Sequence, residues 1–477
     1  MSKKKIIIYC ALVGMIVLYS ACSTPNFGRK TENKAVPASF INSPDTTNSV
    51  KIKWKQFFTD QNLIALIDTA LKNNQELNII LQEINIAKNE IRARKGAYIP
   101  FVGVGAAGGV DKVGRYTSQG ASDDANYITP GQKVPVTLPN YTFGVNASWE
   151  VDIWKKLRNA KNSAVRRYLA TIEGKNFMVT NLISEIAHSY YELMALDNQL
   201  DILKKNIELY KSSLEIVKLE KQSARVTELA VRRFEAEVLK NQSRQYYILQ
   251  RITETENRIN FLAGRFPQPI TRNSTAFNDL VPDTVYAGIP SQLLSNRPDI
   301  RQAEQELAAT KLDVKAAKAE FYPSFIITGG AGFAAFNPQY LVTAPASLIY
   351  SVAGALVAPL INRNAIKANY YSANNRQIQA VYNYEQKILN AHIEVVNQLS
   401  NINNLGKSYE LKAKQAKTLT ESIEISSVLF KNARADYMEV LLTQRDALES
   451  RFELVETKMQ QLNARVNIYR ALGGGWN

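Results

Sequence analysis

The stretch Tyr141-Thr142-Phe143-Gly144-Val145-Asn146-Ala147-Ser148-Trp149-Glu150-Val151-Asp152 alternates apolar residues with polar or tiny ones. In an extended chain Tyr141, Phe143, Val145, Ala147, Trp149 and Val151 share one side, and their polar neighbours share the other. A tilted strand of this length crosses about 25–30 Å of hydrocarbon, with one face to lipid and one to a wet lumen. A hairpin packed on helices in water is the alternative reading. Residues 101–110 are the expected partner strand, joined by a polar loop at 111–140 rich in Gly, Asp, Ser and Pro. A second hairpin is expected from strands at 325–333 and 349–360 around a shorter loop at 334–347. Its alternation is weaker because both faces carry small apolar residues. Four strands cannot close a barrel, which needs about eight or more, and open strand edges are not tolerated in lipid. The chain is therefore expected to assemble. A lumen open to water favours twelve strands from three copies over eight from two.

Helices flank these strands. Leu63, Ile67, Ala70, Asn74, Leu77, Leu81, Ile84, Lys88 and Ile91 alternate spacings of four and three. That is a coiled-coil seam, in a helix expected over 62–98 and stopped before Pro100. A longer helix is expected from about 155 to 222, with a seam from Val165 and Leu169 through Ile183, Ile186, Tyr190 and Leu193. Such a helix rises roughly 100 Å. A compact globule of this chain length has a radius of gyration of only about 20 Å, so the helix must pack lengthwise against others. A break at Ser223-Ala224-Arg225 leads to a return helix ending at Gly264, with Pro267 and Pro269 beyond it.

The programme then repeats. Arg297-Pro298-Asp299-Ile300 leads to Pro323 as Asn74-Gln75-Glu76-Leu77 leads to Pro100, at an offset of 223. A second long helix is expected from about 363 to 430, a break at Asn432-Ala433-Arg434, and a last helix ending at Gly473. Residues 213–264 align without a gap on 422–473 at an offset of 209. Ser213/Ser422, Glu215/Glu424, Ala224/Ala433, Arg225/Arg434, Val231/Val440 and Gly264/Gly473 are among the identities. The last helix has an apolar seam (Leu448, Phe452, Val455, Met459, Leu462) where its counterpart is more polar (Ser243, Gln250), so the halves share a plan but not every packing surface.

The chain has 477 residues, 45% apolar and 21% charged, which is ordinary for a folded protein. Two His and two Cys leave little material for a zinc site or a His-based catalyst. His188 and His392 read as ordinary helix residues, and no Ser/His/Asp arrangement or phosphate loop is present. No enzyme, cofactor or metal is expected. Lys+Arg 58 against Asp+Glu 43 gives +15, but the basic residues are spread among acids without a block. That pattern reads as a solvated helix surface, with no nucleic acid as partner. Lys3, Lys4 and Lys5, then an apolar run over 6–19, then Ser20-Ala21-Cys22 form an export signal. The end resembles a bacterial lipobox, with Cys22 as the lipid anchor, although Tyr19 stands where most lipoboxes have an aliphatic residue. An ordinary signal peptide with an incidental Cys22 is the other reading. No later run reaches about 18 apolar residues, so any membrane crossing must use strands.

Four segments stand in order: Trp54-Lys55-Gln56-Phe57-Phe58-Thr59-Asp60 with Ala70-Leu71-Lys72-Asn73-Asn74; Trp149-Glu150-Val151-Asp152-Ile153-Trp154; Arg297-Pro298-Asp299-Ile300 with Ala303-Glu304 and Tyr322-Pro323; and Ala471-Leu472-Gly473-Gly474-Gly475-Trp476. Together they resemble the TolC-like outer-membrane efflux family, in the lipoprotein branch that serves resistance-nodulation-division (RND) pumps. The resemblance covers nearly the whole mature chain. It implies a mainly α fold with transmembrane β: a long antiparallel α-helical coiled-coil barrel plus four β-strands per chain, closing as a trimeric 12-stranded β-barrel. It implies a homotrimer, lipid-anchored in the outer membrane of a Gram-negative bacterium and extending into the periplasm. Its partners would be outer-membrane lipid, a periplasmic adaptor (membrane fusion protein) and an inner-membrane RND-type pump. The implied work is conduction of drugs or other small toxic compounds to the exterior, energised by the pump. A conduit for a type I protein secretion system, a coiled-coil structural lipoprotein and a periplasmic enzyme are the rivals. The duplicated hairpins argue against the second and the missing catalytic inventory against the third. The lipobox and the Arg297-Pro298-Asp299-Ile300 motif favour a pump over an exporter.

On this plan the chain divides into a signal peptide (1–21), a tether and equatorial segment (22–61), a helix (62–98), a membrane hairpin (99–154) and a helix pair (155–264). An equatorial linker (265–290), a second helix (291–321), a second hairpin (322–361), a second helix pair (362–473) and a tail (474–477) follow. Ala224, Arg225 and Thr227, with Ala433, Arg434 and Asp436, are expected at the periplasmic tip and adaptor contact. The family usually has a Gly in this hairpin, where Ala224 and Ala433 stand. Arg225 and Arg434 are candidates for tip-closing salt bridges, worth under about 1 kcal/mol when exposed. Glu439 falls where the family often narrows its tunnel with a ring of carboxylates. Three such groups would repel one another and attract cations. Leu442 replaces a second acid one turn on, so at most one ring is expected. A solvated helix acid is the other reading of Glu439.

Overall fold

The computed structural model describes residues 28, 30–40, 52–280, 286–359 and 363–476. The export signal and Cys22 lie outside the described residues. Helices α1 (Trp54–Phe57), α2 (Gln61–Asn73) and α3 (Gln75–Tyr98) lead to strand β1 (Phe101–Asp111). A helix α4 (Ser118–Ala125) and a small hairpin of β2 (Tyr127–Thr129) and β3 (Gln132–Lys133) precede β4 (Leu138–Val151). The long helix α5 (Lys156–Gln222) and the return helix α6 (Glu228–Leu262) follow. After 3-10 turns come α7 (Leu293–Asn296), α8 (Pro298–Ala319), β5 (Ser324–Ala335) and β6 (Leu348–Val357), then α9 (Asn364–Lys431) and α10 (Tyr437–Ala471).

The chain falls into two compact units. The first holds 85–169 and 305–381 with residues 28, 30 and 31. Its centre is a four-stranded antiparallel sheet in the order β1-β4-β5-β6. Every rung is filled from Phe101↔Ser148 to Asp111↔Leu138, from Tyr141↔Ala335 to Val151↔Phe325, and from Ser324↔Val357 to Phe333↔Leu348. The outer edges of β1 and β6 have no strand partner among the described residues. Beside the sheet Phe321, Tyr370, Ala317 and Ala373 form a small core between α8 and α9.

The second unit holds 32–84, 170–304 and 382–477. Its core joins α1, α2, α5, α6 and α10: Trp54, Phe57, Leu63 and Ile67 pack with Ile183, Ile186, Leu193, Ile259, Leu462 and Tyr469. The Phe57 and Tyr469 rings stack at 4.0 Å, and the buried Tyr190 hydroxyl donates to Asp60 at 2.7 Å. The seam from Ile183 to Leu193 is thus buried as the heptad spacing requires.

Local chemistry corrects several boundaries. The helix expected over 62–98 is two helices, because Asn74 leaves helical geometry with ψ 127. Its side chain accepts from the Leu77 amide at 2.9 Å and donates to the Leu262 carbonyl at 2.9 Å, so it caps α3 and ties it to α6. The helix expected over 291–321 breaks likewise at Arg297, ψ 119. Asp152 is not a strand residue. Its carboxylate accepts from the Leu157 and Arg158 amides at 3.0 and 2.9 Å and starts α5. The strand expected to reach 360 stops at Val357, since Pro359 has no amide to give the ladder. The loop expected over 111–140 contains α4, capped by the Thr117 hydroxyl on the Gly120 amide, and the β2–β3 hairpin.

Gly332 and Gly144 face each other where β4 and β5 approach most closely. A Cβ on Gly332 would lie 2.4 Å from the Phe143 carbonyl oxygen, whereas one on Gly105 meets nothing within 4 Å. Gly332→Ala is expected to lower the yield of folded protein in detergent, read by circular dichroism and trypsin resistance. Gly105→Ala is expected to match the parent.

Candidate channel wall and tip hairpins

Directly opposed residues of a sheet share a face, so the register assigns both surfaces. One face carries Val102, Val104, Ala106 and Val110; Tyr141, Phe143, Val145, Ala147, Trp149 and Val151; Phe325, Ile327, Ala331 and Phe333; and Leu348, Tyr350, Val352 and Leu356, the gaps being Gly, Ala or Pro. No charge stands on it. Val104, Tyr350 and Val352 are 72%, 81% and 83% exposed, a degree of apolar exposure that water does not sustain. The opposite face carries Gly103, Gly105, Gly144, Gly330 and Gly332 with Asn140, Thr142, Asn146, Ser148, Thr328 and Ser351, and toward the strand ends Phe101, Asp111, Leu138, Glu150, Ile326, Ile349 and Val357. The run of glycines on that face, against bulky residues on the apolar one, suits a sheet curved toward the glycine side. At the helix end of the strands Trp149 donates to the Tyr98 carbonyl at 3.2 Å and Trp154 to the Pro323 carbonyl at 2.8 Å, with Trp154 stacked on Tyr322. Amphipathic rings placed there match a membrane-interface girdle.

In the second unit the two tip turns are built alike. Ala224 and Ala433 hold the left-handed conformation at φ 57 and 56. The Ala224 amide donates to Lys221 and the Arg225 amide to Glu220; the Ala433 amide donates to Phe430 and the Arg434 amide to Leu429, all at 2.9–3.0 Å. These are Schellman closures, a place that favours Gly. The same bonding closes α6 at Gly264 (φ 66) and α10 at Gly473 (φ 92). There a Cβ would come within 2.3 Å of the Asn73 oxygen or 2.6 Å of the Asn296 oxygen. Gly is compulsory at those two sites for two reasons, whereas the exposed Ala224 and Ala433 carry conformational strain alone.

Thr227 and Asp436 occupy the N-cap positions of α6 and α10 without a side-chain cap bond. Arg225 pairs with Glu220 of its own hairpin at 3.4 Å, and Arg434 has no carboxylate within 4 Å among the described residues. Lys221 and Glu228 form an ion pair across the first turn. At the second turn Phe430 and Tyr437 instead pack into the apolar cluster of Tyr210, Val231, Phe234 and Leu441 that joins the hairpins. Glu439 is exposed in the first turn of α10.

Sequence reasoning took Arg297 and its neighbours as a family mark without a role. The structure shows a fastening. Arg297, 7% exposed, donates to both Asp299 oxygens at 3.0 and 2.9 Å, to Glu394 at 2.7 Å and to the Ala471 carbonyl at 2.6 Å. Arg470 reaches the other Glu394 oxygen at 3.1 Å, and the Trp476 indole donates to Asn296 and Gly473 carbonyls. Burial opposes the Arg297 charge, but the two carboxylates hold it protonated above its usual range. His188 goes the other way. Burial first, then the Arg470 charge, pushes it down to about 4. Among the described residues no cluster of His, Cys, Asp and Glu could hold a metal ion, and no helix is long and apolar enough to cross a membrane.

Comparison with known proteins agrees with this geometry. The family profile described as "Outer membrane efflux protein" matches residues 66–265 and 289–474. The chain is 28% identical over 426 residues to the solvent efflux pump outer membrane protein SrpC of Pseudomonas putida, covering 89% of this chain and 88% of that one. It is 27% identical to the cation efflux system protein CusC of Escherichia coli O6:H1, over the whole of both chains. A crystal structure of CusC superposes with a TM-score of 0.80 at 25% identity, covering 94% of this chain and 99% of that one.

Two outcomes follow from the site geometry. Ala224→Gly and Ala433→Gly should each stabilise the hairpins by about 0.5–1 kcal/mol, the left-handed cost less the added chain entropy, while Gly264→Ala should cost more than about 2 kcal/mol. Thermal melts of the purified protein read both. Because the folded His188 binds its proton less readily than an unfolded histidine, stability is lost as pH falls from about 6.5 toward about 4. The loss is about 3 kcal/mol at about 1.4 kcal/mol per pH unit. His188→Gln should show a smaller drop in melting temperature between pH 7 and pH 4.5.

Proposed function

This chain belongs to the outer membrane efflux protein family, whose members are outer-membrane channels of tripartite efflux systems, and on that footing we propose that three copies close its four-stranded sheet into a 12-stranded barrel. The observation that carries the proposal is a sheet with one continuous, charge-free apolar face, an opposite face rich in Gly, Asn, Ser and Thr, and two edges without a strand partner among the described residues. Lipid cannot cover the backbone groups of an open edge, so β6 of one copy pairs with β1 of the next. The identities at offset 209 and the matched helix pairs support an internal two-fold repeat.

In this reading the tip turns of the helical unit meet a periplasmic adaptor, which couples the channel to an inner-membrane RND-type pump. The exposed turns at Ala224, Arg225 and Thr227 and at Ala433, Arg434 and Asp436 are the proposed contact. Cys22 with the apolar run before it supports a lipid anchor beside the barrel. The cargo is drugs or other small toxic compounds. The relatives are named for a solvent efflux pump and a cation efflux system, which supports efflux over protein export.

Three copies of Glu439 would meet around the tunnel axis and narrow it electrostatically. The purified protein is expected to conduct in planar bilayers with a preference for cations. Glu439→Ala is expected to raise conductance and weaken that preference. Unchanged conductance and preference would remove the ring, and no conductance at all would contradict the channel.

A further inference from the structure

Resting on the barrel reading, we propose that the helix ends next to the sheet form a basic collar that binds the headgroups of anionic phospholipids in the membrane leaflet on that side. All four helices that join the sheet meet it at one end. The register sets Phe101 beside Ser148, Val151 beside Phe325 and Ser324 beside Val357, so α3, α5, α8 and α9 share that edge. Their portions in the first unit, 85–100, 152–169, 305–323 and 363–381, hold 16 Lys and Arg against 5 Asp and Glu. The whole chain has 58 against 43, so most of its net +15 stands in this one place. Read along the chain the basic residues form no block, because these four segments are far apart in sequence and only the strand register gathers them.

The few acids are already engaged. Glu90 pairs with Arg94 at 2.7 Å, Asp152 with Arg158 at 3.2 Å and Asp313 with Arg167 at 2.5 Å. Among the described residues Arg92, Lys95, Lys155, Lys315, Lys318 and Lys367 have no carboxylate within 4 Å. Five of the six are exposed and Lys318 is half-buried. The internal repeat keeps the arrangement: at an offset of 223, Glu90, Arg92 and Lys95 become Asp313, Lys315 and Lys318. A spacing of three puts both cations of each pair on one side of the helix. Lys95 and Lys318 each stand six residues ahead of their strand, about 9 Å of helix. A headgroup layer reaches about 5–8 Å beyond the hydrocarbon, and lysine and arginine heads extend toward it on their alkyl stems.

Lys155 adds a separate observation. It holds the left-handed conformation at φ 61, which favours glycine, and its amide donates to the Asp152 carbonyl at 3.3 Å. That turn sets Ile153 and Trp154, both about half exposed, and the Lys155 ammonium in a row directly after β4. Strain kept at an exposed cation points to a contact made there rather than to core packing. Charge and position together decide the occupant. The apolar face of the sheet carries no charge, and the collar begins where that face ends. Hydrocarbon gives way to phosphate over the same step, and phosphate oxygens accept from ammonium and guanidinium groups. A zwitterionic lipid brings its own ammonium to compete for its phosphate, so an anionic lipid is preferred, as at other basic segments beside a membrane.

The test melts the purified full chain in a neutral detergent with added phosphatidylglycerol or phosphatidylethanolamine. Phosphatidylglycerol should raise the melting temperature more, and about 0.5 M salt should remove at least half of that difference. Lys95→Glu with Lys315→Glu, read against its own melt in detergent alone, should also lose at least half of it. Lys112→Glu with Lys133→Glu, an equal change of charge in the loop at the other end of the sheet, should keep it. If the collar reversals fail to fold, Lys95→Gln with Lys315→Gln should reduce the difference in the same direction. An equal response to both lipids, or a difference that the collar variants keep, would overturn the collar. The same rise with inorganic phosphate alone would overturn the lipid as occupant. So would a shift of ion selectivity in the collar variants with the lipid difference intact, since the cations would then face the channel. Failure to incorporate into phosphatidylethanolamine vesicles would overturn the barrel reading itself, whereas incorporation without a lipid preference would overturn the collar alone.

Discussion

An open β-strand edge carries backbone donors and acceptors that hydrocarbon cannot satisfy, at a cost of several kcal/mol for each group. In this chain that constraint meets a sheet whose outward residues leave no choice of solvent. Val102, Val104, Phe143, Val145, Tyr350 and Val352 form a face that water rejects, while β1 and β6 present edges that lipid rejects. Only further strands reconcile the two, and in the proposed assembly they come from further copies. The glycines on the opposite face belong to the same solution. Gly144 and Gly332 let neighbouring backbones approach so closely that a methyl group would clash, as a tightly curved wall requires.

The second unit solves a different problem, which is holding long helices at fixed heights. Arg297, Asp299, Glu394 and Arg470 fasten the start of α8 to α9 and α10 with charge, and every group finds a partner. A buried network of this kind is costly to break, since removal of one member strands the others.

Much of this was legible in the sequence. The alternation from Tyr141 to Val151 gave the strand and its two faces, because side-chain period and pleat are the same fact. The heptad seam gave α5, and the internal repeat gave α9, to within one or two residues, and the breaks at Ala224 and Ala433 marked both turns. The break at Asn74 was hidden, because the apolar spacing continues in phase through it. What ends α2 there is a hydrogen bond to Leu262, far along the chain. Helix α4 was hidden in a polar stretch whose cap, Thr117 on Gly120, is a local signal too weak against the surrounding loop composition. The partners of Arg297 were also out of reach, since motif identity says nothing about contacts with Glu394 or Ala471. Glu439 was legible only through the family's pattern, because exposure in a single chain is common to a solvated acid and to a lumen that exists only in an assembly.

Cryo-electron microscopy of the detergent-purified full chain tests the central claim most directly. The account predicts a threefold particle with a hollow axis and a belt of detergent around the sheet. A twofold or single-chain particle, or one with no detergent belt, would contradict it, since the apolar face and the open edges would then need another explanation.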